Sequence, residues 1–180
     1  MEAAYKGVRV VVVKGDLTRQ KTEAVVNPAN SAGVMGGGVA LALKEAGGEQ
    51  MEKDAMRLAP LKVGRAVATG AGNLACRYVI HAPTMALPGE KANAKAVDQA
   101  VTASLRLAKQ MSLKSVAFPL MGAGTGRVPA GEAASAMANS VKFFLDQEAG
   151  AGALKEIFFV AFDDDAEKAL AANLQHLKKA

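Results

Sequence analysis

Two stretches of this chain combine glycine runs with amide and hydroxyl side chains in a spacing suited to holding an anion. The first is Val25-Val26-Asn27-Pro28-Ala29-Asn30-Ser31-Ala32-Gly33-Val34-Met35-Gly36-Gly37-Gly38-Val39-Ala40. An apolar strand end runs into two asparagines, then three glycines, then an apolar helical pattern. Each glycine loses more backbone entropy on folding than any other residue, so the run has to serve a close backbone approach or converging N–H groups. At a helix mouth, free N–H groups and the macrodipole favour an anion such as phosphate. Asparagine carries both donor and acceptor, which suits sugar hydroxyls.

The second stretch is Phe118-Pro119-Leu120-Met121-Gly122-Ala123-Gly124-Thr125-Gly126-Arg127-Val128-Pro129. It also follows a strand and precedes a helix, the position where open α/β sheets bind ligands. Two such loops at strand ends can grip a diphosphate from both sides through backbone N–H groups. A dinucleotide fingerprint is the rival reading. It fails because Arg127 stands where the third glycine belongs, and because the motif comes far too late in the chain. No Gly-Lys-Ser or Gly-Lys-Thr occurs, which excludes a P-loop.

Other reactive side chains read as structural. His81 at a strand end is expected to be a satisfied core histidine, and His176 in a terminal helix to face solvent. Cys76 has no nucleophile signature around it, and no His/Cys/Asp cluster has metal-ligand spacing, so neither a metal nor another cofactor is implied. Asp163-Asp164-Asp165 reads as helix-start charge complementing the dipole. Gly47-Gly48 and Gly150-Ala151-Gly152 read as ordinary helix-ending punctuation.

The elements that must position the two loops are set by periodicity. Strands are expected at 8–13, 24–26, 66–69, 77–82, 115–119 and 154–162. Helices are expected at 38–46, 49–59, 94–111, from about Pro129 to 146, and at 165–178; residues 83–93 read as loop. Strands alternating with helices imply a three-layer α/β/α fold with a mixed, mostly parallel central sheet, the N-terminal strand supplying an antiparallel edge. No linker or repeat divides the chain, so residues 1–180 are expected to form one domain.

Of the 180 residues 51% are hydrophobic and 22% charged, a globular balance. A single cysteine excludes an internal disulfide framework and fits a reducing cytoplasm. Met1–Lys6 lacks a hydrophobic signal core, and no apolar run approaches a membrane span. The net charge of +5 is compatible with anionic ligands. The basic residues are scattered and aromatics make up 4%, which argues against single-stranded or poly-adenylate nucleic acid as the partner.

Four separated segments resemble the macro domain family in the right order. They are Gly15-Asp16-Leu17-Thr18, the Asn27–Ala40 loop, the Phe118–Gly126 loop and Val160-Ala161-Phe162-Asp163. The resemblance implies a pocket for ADP-ribose or an ADP-ribosylated protein. Asp16, with the Leu17 backbone nearby, would accept from the adenine N6 amine; the rival reading is that Asp16 caps a short helix at 17–20. Phe162 would stack on adenine; the rival is a core phenylalanine. Asn30 would hold the distal ribose, while Asn27 would tie loop backbone together. Gly37, Gly38 and Val39 would offer N–H groups to one phosphate. Gly122, Ala123, Gly124, Thr125 and Gly126 would wrap the other phosphate and the distal ribose.

Two departures from the family bear on chemistry. One hydrolytic branch places an Asp directly after Gly-Gly-Val, where this chain has Ala40. Many members set an aromatic in the second loop, and Thr125-Gly126-Arg127-Val128 contains none. Hydrolysis could still proceed with a water held between Asn30, the glycine loop and a ligand phosphate that accepts the proton, which makes Asn30 the catalytic candidate. The family includes members that remove ADP-ribose from carboxylate side chains or acetyl from O-acetyl-ADP-ribose. A non-catalytic reader is the alternative.

Overall fold

A computed structural model describes residues 1–147 and 150–178. The strands are β1 (Glu2–Tyr5), β2 (Val8–Lys14), β3 (Ala24–Asn30), β4 (Val67–Gly70), β5 (Tyr78–Met85), β6 (Ser115–Pro119) and β7 (Glu156–Ala161). The helices are α1 (Gly38–Gly47), α2 (Gln50–Arg57), α3 (Ala94–Gln110), α4 (Ala130–Gln147) and α5 (Asp164–Lys178), with a one-turn 3-10 helix at Leu17–Arg19. No described helix is long and apolar enough to cross a membrane.

The seven strands form one sheet in the order β1-β2-β7-β6-β3-β5-β4. The five central strands pair in parallel, and β1 and β4 add antiparallel edges. The valine-rich β2 is therefore not the antiparallel edge expected of it. It pairs in parallel with β7, and the edge is the short β1, joined to β2 through the two residues Lys6 and Gly7.

Strand alternation assigns the two faces. Val116 and Phe118 of β6 join Val101, Leu105, Met137, Phe144 and Leu170 in a core under α3, α4 and α5. Ala117, one residue out of phase, joins Val25, Val79 and Val160 under Leu43 of α1 and Met51 of α2. Phe118 and Phe159, paired across β6 and β7, meet edge-to-face with centroids 6.2 Å apart, a favoured aromatic geometry.

Three boundaries differ informatively from periodicity. β3 continues through Asn27-Pro28-Ala29-Asn30, whose polar and proline residues read as loop. It can do so because β6 pairs with β3 only at Ala24 and Val25. Pro28 thus lies beyond the ladder on that side, where its missing N–H leaves no gap. β5 runs to Met85 rather than ending at Ala82, and contains Pro83, with β4 pairing it only as far as His81. Between Ala29–Pro83 and Asn30–Met85 the β3–β5 register slips, leaving Thr84 as a surplus residue in β5.

Gly47 does more than end a helix. A Cβ on Gly72, which has φ +57°, would lie 2.0 Å from the Gly47 carbonyl oxygen, and Asn73 donates to that same oxygen at 2.9 Å. Two backbones therefore meet where α1 packs on the loop after β4. Gly48 supplies the expected positive-φ cap at 101°. Gly150–Gly152 comes after positions 148 and 149, which lie outside the described residues.

Candidate functional site

The crevice is set by topology. β3 feeds α1 on one face of the sheet, whereas its neighbour β6 feeds α4 on the other. Connections that leave adjacent parallel strands in opposite directions open a cleft at their carboxyl ends. Here the cleft is widened by the divergence of β3 from β6 after Val25. Both glycine-rich loops open into it.

The first loop is held by side chains so that its amides stay free. Asn30 Nδ2 donates to Val34 O at 2.9 Å, and Val34 N donates back to Asn30 Oδ1 at 3.3 Å. Met35 N donates to Glu52 Oε2 of α2 at 2.6 Å, and Glu52 is itself paired with Lys44. Met35 is fully buried. Thereafter Gly36, Gly37 and Gly38 are exposed, and their amides, with that of Val39, donate to no protein acceptor among the described residues. They form the N-terminus of α1, where no side chain caps the helix and a net positive potential results.

The second loop is closed on itself. Val128 N donates to Gly122 O at 2.9 Å and Arg127 N to Gly124 O at 3.0 Å. Gly124 and Thr125 are exposed at the tip, and their amides likewise donate to no protein group among the described residues. The two loops abut. Gly38 has φ +55°, and a Cβ there would stand 3.2 Å from Thr125 Oγ1. The connector after β5 reaches both loops: Ser31 N donates to Ala86 O at 3.0 Å, and Ala92 N to Gly126 O at 2.9 Å. Arg127, exposed and at φ +56°, directs Nη2 to Gly89 O of the same connector at 3.5 Å.

Asp16 and Phe162 lie side by side farther along the rim. Gly15 N donates to Ala161 O at 2.8 Å, so the next residue of each segment leaves the paired strands β2 and β7 together. Phe162 is 88% exposed, which overturns the reading of a core phenylalanine. Asp16 does cap the 3-10 turn: its Oδ1 accepts from Thr18 N at 2.8 Å and Thr18 Oγ1 at 2.7 Å. Among the described residues its Oδ2 has only Arg19 Nε, at 3.7 Å, and the Asp16 side chain is half exposed. The Leu17 side chain is buried beneath. The rim order is thus Asp16 on β2, Phe162 on β7, the Gly122–Gly126 loop on β6 and the Gly37–Val39 loop on β3.

Asn27 is not the loop tie expected of it. It is buried on β3 opposite His81 of β5, and its Nδ2 lies 3.1 Å from His81 Nδ1. His81 Nε2 lies 2.9 Å from Thr69 Oγ1, which donates to Gly70 O. With that hydroxyl proton committed, Nε2 carries the imidazole hydrogen and Nδ1 accepts from Asn27. Burial lowers the His81 pKa from 6.5 to about 4, so the ring is neutral near pH 7. Asn27 Oδ1 has no partner among the described residues. Loop tying falls instead to Asn30 and Glu52. Parallel register between β3 and β5 would have disclosed the Asn27–His81 pair; the Glu52 contact leaves no sequence signal. Burial also pushes the Cys76 thiol up, against nucleophilic use. Ala40, where a general base would stand, is buried in the first turn of α1. Among the described residues no cluster of His, Cys, Asp or Glu could hold a metal ion.

Comparison with known proteins agrees with this fold. A family model described as Macro domain matches residues 26–137. An uncharacterized protein of Aeropyrum pernix is 52% identical over 138 residues, covering 75% of this chain and 73% of its own. A mutant Oceanobacillus iheyensis macrodomain solved with ADPR superposes with TM-score 0.86 at 21% identity, covering 100% of this chain and 99% of that one. A Trypanosoma brucei macrodomain in complex with ADP-ribose superposes with TM-score 0.80 at 24% identity, covering 91% and 68%. With more than half its length matched by the family model and a relative of this identity, the chain belongs to the macro domain family.

Proposed function

We propose that residues 1–180 act as one ADP-ribose-binding domain that takes ADP-ribosyl metabolites or mono-ADP-ribosylated proteins. We propose further that it hydrolyses the linkage at the distal ribose. The observation that carries the binding is the abutment of two loops with unpartnered exposed amides at the β3–β6 divergence. The structural neighbours solved with ADPR and ADP-ribose support the same ligand.

In this reading Oδ2 of Asp16 accepts from the adenine amine while Oδ1 keeps its cap, and Leu17 contributes backbone beside it. Phe162 stacks on the base. The amides of Gly37, Gly38 and Val39 hold one phosphate. Gly122, Ala123, Gly124, Thr125 and Gly126 wrap the other phosphate and the distal ribose, the exposed amides of Gly124 and Thr125 facing them. Asn30 spends one hydrogen and one lone pair on Val34, and retains one of each for ribose hydroxyls or a water. With no acid at position 40, a ligand phosphate oxygen accepts the proton as that water bonds to the anomeric carbon of the distal ribose and the C–O bond to the linked carboxylate breaks, the carboxylate leaving as its anion. The single buried thiol, Cys76, supports a reducing compartment, the cytoplasm.

A non-catalytic reader is the second reading, favoured by Ala40 and by the engagement of Asn30 with Val34. Calorimetric titration with ADP-ribose, ADP and AMP tests the binding; affinity is expected to fall in that order, and equal responses would overturn the diphosphate cradle. Incubation with O-acetyl-ADP-ribose and with mono-ADP-ribosylated protein tests the chemistry. Turnover above an Asn30→Ala control supports hydrolysis, and turnover equal to that control leaves a reader.

A further inference from the structure

A separate cavity of about 280 Å³ opens between the segment after α2 and the edge of β5. Its walls are aliphatic: Leu58, Pro60, Leu61, Val67 and Pro83. Leu58, one of these walls, is half exposed. Two cations, Lys62 and Arg65, also line it, and both are exposed. Neither forms an ion pair among the described residues, and no carboxylate lines the cavity. The floor includes His81, whose two nitrogens are already engaged by Asn27 and Thr69. It is fully buried and asks for no further hydrogen bond.

Aliphatic walls with an all-cationic rim select a molecule that is apolar along its length and anionic at one end. Lys and Arg lay their stems on apolar surface and keep the charged head outward, which puts the anion at the mouth and the tail inside. At about the 30 Å³ that one water takes up in the liquid, the volume of about 280 Å³ is that of about nine water-sized groups. That is the size of a medium-chain aliphatic carboxylate. We infer that this cavity is a binding site for medium-chain monocarboxylates, distinct from the glycine-loop crevice and independent of the ADP-ribose reading.

The test is titration of the isotope-labelled protein with sodium octanoate, with butyrate and octanol alongside, monitored by amide chemical shifts. Octanoate is expected to shift residues 58–67 and 81–83 saturably, butyrate and octanol at least tenfold more weakly. Val67→Phe, which fills the cavity, is expected to abolish the shifts. Lys62→Ala with Arg65→Ala lies on the surface, keeps the fold, and is expected to weaken octanoate at least tenfold without altering octanol. Absence of saturable shifts there, shifts at residues 33–39 and 122–126 instead, or octanoate affinity unchanged in the double variant would each overturn the inference.

Discussion

Gly38 and Thr125 belong to different loops, yet the space for a Cβ on Gly38 ends 3.2 Å from Thr125 Oγ1. At φ +55° this residue also sits where an L side chain costs roughly 1–2 kcal/mol. Gly38→Ala is therefore expected to strain the mouth of α1 and push the loops apart. ADP-ribose affinity should fall at least tenfold in calorimetry, with a loss of roughly 1 kcal/mol in urea unfolding.

Phe162 separates binding from stability. At 88% exposure it contributes nothing to the core, so Phe162→Ala should change unfolding free energy by less than about 0.5 kcal/mol. If it stacks on adenine, affinity for ADP-ribose should fall by roughly 1–3 kcal/mol. Ribose 5-phosphate, which lacks the base, should bind the variant and the parent alike.

Asp16 can be divided between its two oxygens. Asp16→Asn keeps an acceptor for Thr18 N but turns an amide donor toward any adenine amine. The expected result is an unchanged melting temperature with about tenfold weaker ADP-ribose binding. Asp16→Ala loses the cap as well and should cost about 1 kcal/mol of stability. Equal affinities for the Asp16→Asn variant and the parent would confine Asp16 to capping.

His81 makes stability depend on pH in a defined direction. Its folded pKa of about 4 lies below the ordinary 6.5, so between those values the unfolded chain binds the extra proton. Stability from this group is fully present above pH 6.5 and falls as pH drops toward 4. Comparing pH 7 with pH 4.5, the contribution is about 2–3 kcal/mol. Urea unfolding of His81→Gln should therefore show a smaller loss between those pH values than the parent, by about that amount.

Much of this is readable from residue order. The alternation of apolar strands with periodic helices yields the layers, and the two glycine stretches fall at the ends of β3 and β6, where the cleft opens. What residue order does not supply is pairing. Asn27 reads as a loop tie because nothing local reveals that His81, 54 positions away, lies opposite it. Glu52 carries no local signal, because only tertiary packing brings Met35 N to it. β1 escapes notice because four residues carry too short an alternation to rise above coil. Phe162 ends an apolar run and so resembles core, whereas the strand stops one residue earlier.

The surplus Thr84 in β5 has a mechanical corollary. It is buried, with a hydroxyl that has no partner among the described residues, and downstream of it the connector grips the first loop through Ala86 and the second through Ala92. Excising that one residue would bring β3 and β5 back into step and shorten by one residue the path from the strand to Ala86 and Ala92. Both handholds would shift together, so the crevice is sprung from a single point behind it rather than from either of its own walls.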